Sequence, residues 1–137
     1  EGRDLRMLHA IPALPVRDLG RSVAFYRDHL GFALLHDEAG FAVLRRDAVE
    51  LHLWTAGDEA WRQRDATVPV LSGAESFLAG TASCRIAVTD VDALHEALRP
   101  LGVLHPNAPL RDEWYGAREF GVLDPDRNLI TFYQPLA

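Results

Sequence analysis

Between residues 16 and 31 the chain reads VRDLGRSVAFYRDHLG, with apolar side chains at Leu19, Val23, Tyr26 and Leu30. Steps of four, three and four place these on one face of a helix. A second one-faced helical set, in steps of three, four and three, follows at Val91, Leu94, Leu98 and Leu101 within VTDVDALHEALRPLG, residues 88–102. Asp18 and Asp90 stand where an N-cap acceptor is wanted, and Gly31 and Gly102 fall just past the last periodic residue. Two caps, two stops and one register, offset by 72 residues between Val16 and Val88, make this an internal repeat.

Around each helix the apolar pattern changes to strand-like runs. Residues 8–16 precede the first helix, and GFALLHD (31–37), GFAVLRR (40–46) and DAVELHLW (47–54) follow it. The second half offers TASCRIAV (81–88), about 110–113, GAREFGVL (116–123) and NLITFYQ (128–134), with EAG and DPDRN as turn-rich breaks. Each half therefore reads βαβββ, which predicts an α+β fold built as two tandem modules. One domain over 1–137 is expected, with module one at about 8–55 and module two at about 81–135. The connecting segment 56–80 is long, mixed and Gly-bearing, and reads as a loop or short helices; WRQRD (61–65) within it reads as a solvated helix face.

Composition narrows the function classes. The chain has 137 residues, 48% apolar and 25% charged, as an ordinary globular protein does. A net charge of −6 argues against nucleic acid or an anionic membrane as partner and is compatible with a cationic ligand. Cys84 is the single cysteine, so no internal disulfide forms. There is no apolar run near 18 residues and no charged-then-apolar leader, so a cytoplasmic location is expected.

The segments VRDLGRSVAFYRDHLGF, VELHLW, VTDVDALHEALRPLG and REFGVLDPDRNLITFY resemble the vicinal oxygen chelate superfamily, the glyoxalase/bleomycin-resistance/dioxygenase fold. AIPALPVRDL and EWYGAREFGVLDPDRN are most similar to its bleomycin resistance branch. The resemblance implies a curved, cup-like mixed sheet with helices on its outer face. It also implies a homodimer whose cleft holds a ligand without a metal from the protein.

Metal-dependent members carry His or Gln on the first strand of a module and Glu on the last, a mixed N/O set suited to divalent ions. The matching positions here are Ile11, Glu50, Ser83 and Thr131, of which only Glu50 is a ligand type. No metal or other cofactor is therefore expected. A displaced set of His9, Glu50 and His52 is the alternative, because His9 shares a strand face with Ile11 and Glu50 shares one with His52.

Alternation puts Glu50, His52 and Trp54 on one face of their strand, opposite apolar Val49, Leu51 and Leu53. Thr131 and Tyr133 share a face with Leu129, and Ser83 shares one with Arg85. Trp61, Trp114 and Tyr115 lie in loops. An aromatic lining with a few polar groups suits a small-molecule site, although the same aromatics suit a core or an interface. The resemblance assigns ring stacking to His36, Phe41 and the Trp114/Tyr115 pair. EWYGA is one residue longer than the usual segment, so which of that pair faces inward stays open. Glu50, Asp112, Glu113 and Glu119 could meet a cationic ligand, with Glu119 read as more naturally pairing with its neighbour Arg118.

No nucleophile elbow or phosphate loop is present, and Cys84 reads as a core residue. Three functions are weighed: a metal-free binder sequestering a glycopeptide-type drug or similar aromatic ligand, a glyoxalase- or dioxygenase-like enzyme, and a binder of an endogenous aromatic metabolite. In the enzyme reading Glu50 or His52 serves as general base, or the displaced metal set acts. The first is favoured, with binding rather than turnover as its mode of action.

Overall fold

The computed structural model describes residues 4–57, 65, 67 and 69–137. Strand β1 (Ala13–Val16) leads into helix α1 (Leu19–Asp28), then β2 (Ala33–Glu38), β3 (Phe41–Arg46) and β4 (Val49–Thr55). The second half repeats the order with β5 (Ser83–Ala87), α2 (Val91–Leu98), β6 (Arg111–Glu113), β7 (Ala117–Leu123) and β8 (Leu129–Pro135). The strands make two four-stranded mixed sheets, ordered β1-β4-β3-β2 and β5-β8-β7-β6, so the fold is α+β. In each, the first strand runs parallel to the last, and the remaining neighbours are antiparallel.

Both caps form as the sequence indicates. Asp18 accepts from the Arg21 N–H and Asp90 from the Ala93 N–H, each at 3.0 Å. The stripes differ in detail. Helix α1 buries Ser22, Val23, Phe25 and Tyr26, whereas Leu19 is only partly covered. Helix α2 tightens after Leu98 into a single 3-10 turn containing Pro100, which carries Leu101 off the buried face.

Leu14, Val16, Leu44, Leu51, Leu53, Ile86, Val122 and Ile130 join Tyr26, Phe120 and Phe132 in one core that spans both halves. Each fully buried aliphatic or aromatic side chain contributes roughly 1.5–3 kcal/mol. The helices cover the Leu51/Leu53 face of the first sheet, leaving the Glu50/His52/Trp54 face for other contacts.

The expected strand 8–16 begins only at Ala13. Residues 4–11 are exposed, and Ile11 lies outside the ladder. Pro12 has no N–H to donate, and its carbonyl accepts from the His52 N–H at 3.0 Å. The expected strand 47–54 begins at Val49, because Asp47, with φ at 53°, and Ala48 form the β3–β4 turn. The described part of the connecting segment forms turns rather than helix.

DPDRN is a tight turn, as its composition indicates, but it is also a buried junction between the halves. Asp124, Asp126 and Asn128 are buried. Asp124 accepts from the N–H groups of Asp126 and Asn128, from the Tyr26 hydroxyl at 2.8 Å and from Asn128 Nδ2. Asp126 accepts from the Arg17 N–H and guanidinium and from Ser22. Asn128 Nδ2 also donates to the Pro15 carbonyl at 2.9 Å. These bonds satisfy carboxylates that would otherwise be costly to bury, and most of them cross from one half to the other.

Candidate ligand-binding site

The register of the first sheet sorts its helix-free face into rows. Glu38, Phe41, Trp54 and Pro15 form one row; His36, Val43, His52 and Ala13 form the next; Ala33, Arg45 and Glu50 form the third. Strict alternation along β2 would put His36 on the same side as Leu34, which pairs with buried Leu44. A register shift between Leu34 and His36 turns the histidine to the other face. Phe41 then sits at the centre, with ring centroids 4.4 Å from Trp54, 5.2 Å from His52 and 6.0 Å from His36. His52 Nε2 is 2.7 Å from Glu50 Oε2, and His36 Nε2 is 2.8 Å from Glu38 Oε1. Five of the residues singled out in the sequence, His36, Phe41, Glu50, His52 and Trp54, therefore share one face.

The second sheet carries a more polar counterpart. Arg85 pairs across to Thr131 and then Gly121, and the next row holds Tyr133, Glu119 and Arg111. The Arg85 guanidinium lies 4.5 Å from the Tyr133 ring centroid, 5.7 Å from that of Tyr115, and 2.9 Å from Glu119. Burial pushes the Glu119 carboxyl up, but the bonds from Arg85 and Tyr115 outweigh it and hold the group below its ordinary range. The same Glu119 contact, with burial, raises the Tyr115 phenol.

Glu119 does not pair with Arg118, since neighbours on a strand point to opposite faces. Arg118 instead binds Asp112 and Asp92. Tyr115 is the member of its pair that joins Arg85, while Trp114 is 92% exposed with its ring 5.3 Å from that of Tyr115. Trp61 lies outside the described residues.

All four carboxylates proposed for a cationic ligand already have partners. Glu50 has His52 and Arg45, Asp112 has Arg118, Glu113 has Arg111, and Glu119 has Arg85. Asp112, in register with Arg118 and sharing it with Asp92 of α2, lies on the helix side of the second sheet, and the charge of the other three is largely met within the protein.

Two structural results bear on metal binding. Ala13 pairs with His52 as Arg85 pairs with Thr131, so Thr131 is the counterpart of His52, and Leu129 that of Glu50. The alignment of Thr131 with Glu50 is thus displaced by two residues. The alternative set of His9, Glu50 and His52 also does not form: among the described residues, no three His, Cys, Asp or Glu side chains are grouped to hold a metal ion. A cavity of about 530 Å³ does bring His9 and Glu50 together, but Arg45 and Arg85 line it too, and their positive charge opposes a cation.

Another cavity, of about 580 Å³, lies on the helix side among Leu30, Phe32, Val49, Ile86, Leu94 and Phe132. It shares no residue with the His36–Trp54 face. Cys84 points into the core side of β5, where burial pushes its thiol up to about 11, outside the range of reactive cysteines.

This architecture, with paired βαβββ halves and an aromatic face free of helices, defines a class of protein. The chain belongs to the Glyoxalase/Bleomycin resistance protein/Dioxygenase superfamily, which it matches over residues 6–132. Within that family it is 56% identical over 130 residues to bleomycin resistance proteins of Geobacillus stearothermophilus and Staphylococcus aureus. Each match covers 95% of this chain and 98% of the relative. Among solved structures it resembles the bleomycin-binding protein of Streptomyces verticillus complexed with copper(II)-bleomycin. The TM-score is 0.71 at 29% identity, covering 94% of this chain and 97% of that one.

Proposed function

We propose that this chain is a drug-sequestering protein that binds a bleomycin-type glycopeptide stoichiometrically, without chemical turnover. The observation that carries the reading is the 56% identity to bleomycin resistance proteins over 95% of the chain. The face bearing Phe41, His36, His52 and Glu50, backed by Trp54, supports it with a surface suited to flat rings. Tyr115, Tyr133 and Thr131, with Trp114 at the rim, extend the lining on the second half, and Trp61 remains a candidate from the sequence. The protein acts as a homodimer in the cytoplasm. No helix among the described residues is long and apolar enough to cross a membrane.

An enzyme reading needs a metal or a free general base. His9, Glu50 and His52 do not assemble as a metal set, and Glu50 is held by His52 and Arg45. Titration calorimetry with metal-free bleomycin tests the binding reading. A saturable heat near one ligand per protomer is expected, with Phe41→Ala weakening binding by ~10-fold or more. The absence of any heat with the unsubstituted protein would sink the drug assignment.

A further inference from the structure

The connecting segment, which reads in the sequence as a loop or short helices, forms turns in its described part, and residues 73–78 lie against the sheet face that carries Trp54. Gly73 rests on the Trp54 indole: a Cβ built there would come within 1.9 Å of Cε2 and 2.0 Å of Nε1. Its φ lies outside the left-handed region, so close approach to the ring, rather than backbone conformation, demands glycine at 73. The Trp54 Nε1–H is buried and finds no acceptor among the described residues, a cost accepted where the segment seals the ring. At the other end, Gly80 has φ of 86°, and a Cβ there would meet the Asp126 carbonyl at 2.3 Å. Between these anchors Ala74 and Ala79 are buried and the Phe77 N–H donates to the Ala74 carbonyl, while just past Gly80 the Thr81 hydroxyl donates back to the Leu78 carbonyl.

This strap does more than cover Trp54. Phe77 and Leu78 face Ala13, Pro15, Thr81 and Ser83 across a cavity of about 580 Å³. Ala13 and Pro15 continue the His52 and Trp54 rows, so the cavity is a lateral extension of the aromatic face. Phe77 remains 45% exposed, although it sits on a segment tied down at both ends. Its apolar lining, with two hydroxyls, suits an aromatic or aliphatic portion of a ligand.

We propose that residues 72–81 form a third wall of the ligand cleft, with Gly73 seating the strap on Trp54 and Phe77 serving as a ligand-facing specificity residue. The proposal rests on the binding reading above, and it leaves Trp54 as a positioning residue behind Phe41 rather than a plate on which the ligand stacks. Phe77→Ala and Gly73→Ala are compared with the unsubstituted protein by bleomycin calorimetry, thermal melting and sedimentation. Phe77→Ala should weaken bleomycin by ~10-fold or more with its melting point and mass unchanged. Gly73→Ala should weaken it similarly, and Trp54→Leu in the same chain should relieve the added methyl and shrink the Gly73→Ala effect.

An unchanged affinity in Phe77→Ala overturns the proposal. So does a Phe77→Ala protein whose binding falls only because its oligomer dissociates. If the unsubstituted protein itself gives no heat, the drug assignment fails. The strap is then judged by solvent exchange of the Trp54 indole N–H. At least ~10-fold faster exchange in Gly73→Ala supports the seat, because exchange reports local opening. Equal rates overturn it.

Discussion

At the scale of single residues, Tyr26 shows how one hydroxyl serves two halves. Its ring packs edge-on against Phe25 and Phe32, and its hydroxyl reaches Asp124. Burial first, then the Asp124 carboxylate, raises the phenol well above its ordinary 10.0. The fold therefore favours the neutral form. The resulting stability is fully present below pH 10.0 and is lost as pH climbs from there toward the folded value. Tyr26→Phe should cost about 1–3 kcal/mol at neutral pH, since Asp124 loses a buried donor. The gap between the two proteins should narrow above pH 10.0, as chemical denaturation at pH 7 and pH 11 would register. Cys84 supplies a second check. With its thiol near 11 against an ordinary 9.0, native iodoacetamide labelling at pH 8 should run about 100-fold slower than for an exposed thiol. Labelling at the exposed rate would contradict its place in the core.

At the scale of elements, helices α1 and α2 are short, ten and eight residues, and stand by their caps and packing rather than by length. Asp18→Ala and Asp90→Ala should each destabilise by about 1 kcal/mol, read as a shift in denaturant midpoint at constant slope. The pair should add, because the caps lie in different halves and are not bonded to each other. Strand β2 shows what an element leaves to its neighbours. All six of its residues are exposed, and its bulge, rather than its composition, turns His36 toward Phe41.

At the scale of the whole molecule, the halves are held by one shared core and by the Asp124–Asp126–Asn128 junction. The proposed homodimer predicts a sedimentation mass of about twice 15.2 kDa, and a mass near 15.2 kDa at micromolar concentration would refute it. Solvent-exposed Leu5, Met7, Leu8 and Leu35 on a single chain supply apolar surface for such an interface.

The sequence by itself determined the repeat, both helix caps and the face shared by Glu50, His52 and Trp54. Caps and alternation are local, set by residues a few positions apart. Family resemblance added Phe41 and His36. Tertiary structure decided what depends on partners distant in sequence. It buried DPDRN between the halves, gave Glu119 to Arg85 rather than Arg118, and shifted the counterpart of Glu50 from Thr131 to Leu129. It also laid Gly73 on Trp54. No local pattern encodes a contact across nineteen residues of chain, because only the folded path of the backbone brings those atoms together.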